Sequence, residues 1–349
     1  MRKLALVLDL DHTLLHATQD ARVREFGWDA ACPDVRTIYL SLETKHRGAA
    51  AAAARKKPPS PHYVKLRPGV EKMLRDLHER YQLYIYTHGT RQYAEAVARV
   101  IDPTRAYFQG RIISRTDNPD GMHYKLLSQL FPCDDTMALI LDDRTDVWPS
   151  DLNNLIKVKP YYFFHQMAEV NNAAGASITT GQAAALAPAA AASPAAPAPP
   201  PPPPPSPSSS LSSSSSIAPS SPAATPVMPA STARPVPDEN DDEMVHVGRV
   251  LREIHTSFYG TDSNAILDAD AQLQGHGPDV KQILRRIRRG VFKDVHVVFS
   301  AMIPRVLNRK PEDHPTWKQT EVFGACVSNQ VKRGVTHVVA RNPGTDKTM

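Results

Sequence analysis

Disulfide chemistry and membrane insertion are both poorly provided for in this chain of 349 residues. Its three cysteines, Cys32, Cys133 and Cys326, are odd in number and far apart. That spacing provides neither a disulfide framework nor a clustered zinc site, and it suits a reducing compartment. The opening MRKLALVL starts as a secretory leader does, with basic residues before apolar ones, but Asp9 and Asp11 interrupt it too early. No later apolar run reaches the roughly 18 residues of a membrane-spanning helix, so membrane binding is not expected. Charge and aromatic residues are also scarce from about Asn171 to Pro235, where Ala, Pro and Ser dominate and a proline run begins at Pro199. Such a segment cannot offset the entropy of ordering its backbone. It reads as a disordered tether, stiffened into polyproline II where prolines are consecutive. The prolines also suit an SH3 or WW module, although spacing of domains explains a tract of this length more simply.

The foldable residues therefore divide in two. A block over 1–170 is long enough for a hydrophobic core, a low-complexity linker covers 171–243, and a shorter block occupies 244–349. The formal charge of +5 is too small to name a partner. Locally, Arg285, Arg286, Arg288 and Arg289 follow the acidic run Asp238, Glu239, Asp241, Asp242 and Glu243. The arginines suit either a solvated helix face or a contact with an acidic polymer. Direct nucleic-acid binding is not expected, because neither zinc-finger spacing nor an aromatic platform accompanies them.

Leu4 to Leu8 is an apolar run ending in acidic residues, as suits a central parallel strand with polar chemistry at its carboxyl end. A strand is expected from His62, then a helix opened by Pro68 and carrying Val70, Leu74 and Leu77. LYIYT from Leu83 reads as a second buried strand, followed after Thr90 by a helix with Ala94, Val97 and Val100 on its apolar side. A further helix is expected over His123 to Phe131. MALIL from Met137 gives a third strand and LIKV from Leu155 a fourth. The insertion between Leu15 and Tyr63 is too weakly patterned for a large closing cap. Repeated strands and helices with ionisable groups after the strands predict an α/β parallel sheet with its site at the carboxyl edge.

The leading motif is LVLDLDHTLLH, with Asp9, Asp11 and Thr13 in D-x-D-x-T spacing. One carboxylate can attack phosphorus while the other exchanges a proton with the leaving group, and their repulsion calls for a hard cation such as Mg²⁺. Asp9 is the expected nucleophile and would form an acyl phosphate. Asp11 is the expected acid and base, with its backbone carbonyl available to the metal. Asp143 is the expected further metal ligand, with Asp142 supporting the site or pairing with a lysine. Thr87 suits a donor to a phosphate oxygen or a hydroxyl satisfied by backbone. Lys125 can neutralise charge in the phosphorylated state. Arg91 and Arg144 suit phosphate, a substrate carboxylate or a structural pairing. His12 and His88 flank the motif residues, but Asp11 already accounts for proton transfer.

Six segments in this order resemble the haloacid-dehalogenase superfamily phosphatases that act on the carboxy-terminal tail of RNA polymerase II. They are LVLDLDHTLLHA, HYVKLRPGVEKML, LYIYTHGTRQYAEAVARVIDP, GRIISR, LFPCDDTMALILDDRTDVW and NLIKVKPYYFF, all within 1–170. The resemblance implies catalytic Asp9, Asp11, Thr87 and Lys125, a metal shell of Asp9, Asp11 and Asp143, and support from Arg91, Asp117, Asp142 and Arg144. It implies Mg²⁺-dependent hydrolysis of phosphoserine or phosphothreonine in the phosphorylated polymerase tail, a nuclear location, and a setting that allows a transcription-factor partner. An extended substrate of that kind suits an open cleft.

VFKDVHVVFSAMIP and WKQTEVFGACVSNQVKRGVTHVVARNPGTDKT resemble a BRCT domain, with strands at Val295 to Phe299 and Thr336 to Ala340 and a helix over Trp317 to Phe323. Ser300 stands where phosphopeptide-binding relatives contact phosphate, and Ala301 replaces the usual glycine. Met349 comes before the remaining strand and helices, so an incomplete BRCT-like α/β region is expected, and the first strand follows Met1 closely. A phosphatase for another phosphoprotein and a noncatalytic transcription scaffold are the competing functions. Intact Asp9, Asp11 and Asp143 speak against the scaffold.

Overall fold

The structure, a computed structural model, describes residues 2–32, 34–41, 58–119, 121–164, 167, 240–260, 277–303, 310–342 and 344. Apart from 240–243, the expected linker at 171–243 lies outside the described residues. The first block comprises β1 (Leu4–Leu8), β2 (Leu15–Thr18), α1 (Arg22–Glu25), α2 (Trp28–Ala31), β3 (Val35–Leu40), β4 (Ser60–Leu66), α3 (Val70–Leu77), β5 (Tyr81–Tyr86), α4 (Arg91–Ile101), β6 (Ile112–Ile113), β7 (Ala138–Asp142) and β8 (Leu155–Lys157). The later block comprises α5 (Glu243–Tyr259), α6 (Val280–Val291), β9 (His296–Ser300), α7 (Pro315–Val322), β10 (Cys326–Ser328) and β11 (His337–Ala340).

All five residues of β1 are buried, because each face of the central sheet is packed and an alternating strand would bring polar groups into the interior. The sheet runs in the order β6-β5-β1-β7-β8, and every neighbouring pair is parallel. Leu6 lies opposite Leu83 on one side and Leu139 on the other. This register brings the carboxyl ends of β1, β5 and β7 side by side. Helix α3 buries Val70, Met73, Leu74 and Leu77. At the start of α4 the Thr90 side chain accepts from the Tyr93 amide, satisfying one of the donors that a helix leaves unpaired at its first turn.

The segment between Leu15 and Leu66, weakly patterned in sequence, carries a small antiparallel sheet in the order β2-β4-β3. The helix expected over His123 to Phe131 is replaced by extended chain and a single 3₁₀ turn, Leu127–Gln129. Here the Lys125 amide donates to Val147 O, and the Leu127 amide, which such a helix would have turned to His123 O, donates to the Asp151 carboxylate.

Helix α5 presents Met244, Val247, Leu251, Ile254 and Phe258 on one face, and these join the same core as α3 and β1. Val280, Ile283 and Leu284 of α6 join it too. Tyr81 donates to Leu251 O at 2.6 Å. Gly69, at φ 82°, permits the close approach: a β-carbon there would lie 3.3 Å from that of Met244. A third sheet, β10-β9-β11, is parallel throughout. Ser300 is buried at the end of β9, and Ala301 beyond it has φ 56°, a conformation that glycine adopts more easily. Among the described residues no helix is long and apolar enough to cross a membrane.

Candidate active site

Where β1 ends, the Asp9 amide donates to Leu141 O at 3.0 Å, so the pairing with β7 continues one residue beyond the strand and fixes Asp9 at the sheet edge. The chain then turns tightly, with the amides of Thr13, Leu14 and Leu15 all donating to Leu10 O and His12 at φ 61°. The turn returns Thr13 to the end of β7. Its hydroxyl donates to Asp143 Oδ1 at 3.1 Å and accepts from the Asp143 amide at 3.0 Å.

Lys125 joins the two acidic motifs. Its side chain is 1% exposed, and Nζ donates to Asp9 Oδ1 at 2.6 Å and to Asp142 Oδ2 at 2.7 Å. Asp142 also accepts from Trp148 Nε1 at 2.8 Å and from the Arg144 amide at 2.8 Å. Oxygens of Asp9, Asp142 and Asp143 lie within 4.8 Å of one another. An all-carboxylate donor set of this kind fits a hard divalent cation, which would also relieve the mutual repulsion. Because Asp142 already serves Lys125, Trp148 and the Arg144 amide, Asp9 and Asp143 are the better placed ligands.

The site is electrostatically tense. Burial drives the Asp9 carboxyl well above the ordinary carboxylate range; Lys125 opposes this, and the charges of Asp142 and Asp11 add to it. Burial also raises Asp143, with Asp142 contributing next. For Lys125 burial acts downward, but Asp142 and Asp9 together outweigh it and keep the ammonium charged. The lysine is thus the cation that makes three adjacent acids tolerable in the protein interior.

Asp11 Oδ1 accepts from the Tyr93 hydroxyl at 2.5 Å. Burial, followed by the charge of Asp11, pushes the Tyr93 phenol upward, so it remains a donor. Thr87 follows β5 and is buried; its oxygen accepts from the Gly89 amide at 3.0 Å, which leaves the hydroxyl hydrogen for donation. Asp9, Thr87, Lys125, Asp142 and Asp143 are therefore gathered at one sheet edge, and Tyr93 links Asp11 to α4.

Apart from His88, the remaining sequence candidates are engaged with one another or with neighbours. Arg91 donates to Glu95 at 2.8 Å, to Ile112 O at 2.8 Å and to Asp117 at 3.3 Å. Asp117 closes a capping box with Ser114. Arg144 donates to Asp146 Oδ1 at 3.1 Å. His12 Nδ1 lies 3.1 Å from Tyr161 O. His88 has a buried Nε2 with no hydrogen-bond partner among the described residues. Burial first, then Lys125 and Arg144, pull its pKa down to about 4. Sequence reasoning missed Tyr93 and Trp148 as partners of Asp11 and Asp142. Only the fold could reveal them, since their hydrogen bonds arise where α4 and the loop after β7 meet the sheet edge.

Residues 4–172 match the family described as NLI interacting factor-like phosphatase. The chain is 41% identical over 178 residues to an RNA polymerase II C-terminal domain phosphatase of Schizosaccharomyces pombe, over 49% of this chain and 23% of that protein. RNA polymerase II C-terminal domain phosphatase-like 4 of Arabidopsis thaliana is 29% identical over 355 residues, spanning 99% of this chain and 62% of its own length. The solved structure of Fcp1, an essential RNA polymerase II CTD phosphatase, aligns with a TM-score of 0.64 at 27% identity, covering 99% of this chain and 86% of that one. The chain thus spans less than two thirds of either curated relative. Parallel sheet order, an acidic cluster at its carboxyl edge and these likenesses together make residues 4–172 similar to the Fcp1-like carboxy-terminal-domain phosphatases.

Proposed function

We propose that the protein is a Mg²⁺-dependent protein serine/threonine phosphatase that acts on the phosphorylated RNA polymerase II carboxy-terminal domain through an aspartyl-phosphate intermediate. The observation that carries this reading is the Lys125 bridge between Asp9 and Asp142 beside Asp143. It sets a cationic group against the Asp9 and Asp142 carboxylates at the sheet edge and opposes the burial that raises Asp9, working toward the ionised form that a nucleophile for phosphorus requires.

Asp9 attacks phosphorus, and the bond to the serine or threonine oxygen breaks. Asp11 gives that oxygen its proton, then removes a proton from the water that cleaves the acyl phosphate and regenerates Asp9. The Tyr93 hydroxyl holds one oxygen of Asp11, favouring protonation on the other. Lys125 and Thr87 face negative charge spread over the phosphoryl oxygens, the feature that dominates catalysis of phosphoryl transfer. Mg²⁺, held by Asp9, Asp143 and the Asp11 carbonyl, would supply further positive charge for those oxygens. Asp142 supports Lys125. Arg91 and Asp117 brace the loop after β6, and Arg144 braces the loop after β7.

A nuclear site of action and a transcription-factor partner accord with this substrate. The parallel order β10-β9-β11 is compatible with a BRCT-like region. The test is Mg²⁺-dependent phosphate release from a phosphoserine heptad-repeat peptide, compared between the parent chain and Asp9→Asn. Release by the parent alone is expected. Equal release by both would remove Asp9 as nucleophile, and release only from unrelated phosphopeptides would move the reading to another phosphoprotein.

A further inference from the structure

The acidic run before α5 carries Asp238, Glu239, Asp241 and Asp242 in close succession. Asp241 lies against Arg67, 174 residues away, with Arg67 Nε donating to Asp241 Oδ1 at 3.2 Å and to Oδ2 at 3.0 Å. The two side chains are 2% and 9% exposed. The Glu243 amide donates to Asp241 Oδ1 at 3.1 Å, which fixes the carboxylate at the start of the helix.

Arg67 does more than close an ion pair. Its Nη1 donates to Thr13 O at 3.3 Å and to Lys159 O at 2.7 Å, and its guanidinium lies 5.6 Å from the centre of the Tyr161 ring. Glu243 takes the Lys159 amide at 3.0 Å, so one peptide unit is held by Arg67 and the other by the start of α5. Two residues on, the Tyr161 amide donates to His12 O at 2.7 Å. The turn carrying Asp11, His12 and Thr13 is thus gripped at consecutive carbonyls. Its Thr13 hydroxyl holds Asp143.

We propose that Asp241 is a positioning residue for the acidic cluster: through Arg67 it fixes the Thr13 backbone, and through Thr13 it sets the aim of Asp143. This rests on the metal reading of Asp9 and Asp143 given above. A guanidinium makes this coupling where an ammonium does not, because its fork serves a carboxylate and two carbonyls in fixed directions. Partners behind a ligand typically change metal affinity about 10- to 100-fold when removed. For a contact two links behind the ligand, the lower end of that range, about tenfold, is expected.

The test uses the full chain and reads metal binding directly. Calorimetric titration with Mg²⁺ or Mn²⁺, without substrate, is compared among the parent, Asp241→Asn, Arg67→Met, their double variant and Asp143→Asn. Asp241→Asn is expected to weaken binding about tenfold, with kcat at saturating metal held within about threefold. The double variant should be no weaker than Arg67→Met alone, since both act on one path. Asp241→Glu should recover part of the loss. If Asp241→Asn does not fold, Arg67→Lys, which keeps the charge without the fork, must show the same loss of affinity. A lower melting temperature with metal affinity unchanged within twofold would overturn the proposal and leave the contact purely structural. Absence of binding in the parent, or binding that Asp143→Asn leaves intact, would overturn the metal reading together with it.

Discussion

Strands β1 and β11 differ little in composition, LALVL against HVVA, yet every residue of the first is buried and three of four in the second are exposed. Strand β1 has β5 and β7 on its two sides and packed side chains on both faces. Among the described residues strand β11 pairs with β9 alone, and it exposes both Val338 and Val339. Apolar sequence therefore sets what a strand can bury, while its place in the sheet sets what it does bury. The residues of the acidic cluster follow strands of the first kind, where backbone positions are held from every side.

The sharpest form of that contrast is charge at the protected edge. Lys125→Met should leave Asp9 and Asp142 buried without their cation and cost about 3–5 kcal/mol of stability, measured by urea unfolding, with activity largely lost. Next, Leu6→Ala should cost about 2–5 kcal/mol, since the cavity is enclosed and cannot readily collapse. Val339→Ala should stay within about 0.5 kcal/mol, as surface substitutions do. Equal effects of these two would break the comparison between the sheets.

His88 gives a smaller, pH-dependent effect between them. Its pKa in the fold is near 4, whereas an unfolded histidine titrates at about 6.5. Between those values the unfolded chain binds more protons, so stability falls as pH drops from 6.5 toward 4 and is flat in this respect above 6.5. His88→Gln should remove that component, making its melting temperature less sensitive than the parent's across the same window.

Several features were legible in the chain because they are local. Leu4 to Leu8, the D-x-D-x-T spacing and the MALIL strand before Asp142 and Asp143 carry their meaning in adjacent residues, and the central sheet and its acidic edge follow. Thr90 before α4 is local in the same sense. The expected helix around Lys125 was not realised, because its apolar spacing competes with an amide drawn to Val147 and a side chain drawn to two aspartates. The surface that covers the apolar face of α5 is supplied by the fold, because helical periodicity alone does not name it. Tyr93, Trp148 and Arg67 act through partners fixed only by the fold.

The docking of α5 also bears on how the protein is made. The face of α3 that receives Met244 and Val247 is synthesised before α5, and Asp241 follows Arg67 by 174 residues. At about 5–20 residues per second, that interval lasts roughly 9–35 s. During it Met73, Leu74 and Leu77 lack the helix that completes their burial, although strands β1, β5 and β7 are already available for pairing. Until α5 is synthesised and docks, the apolar flank of α3 therefore has no cover from that helix.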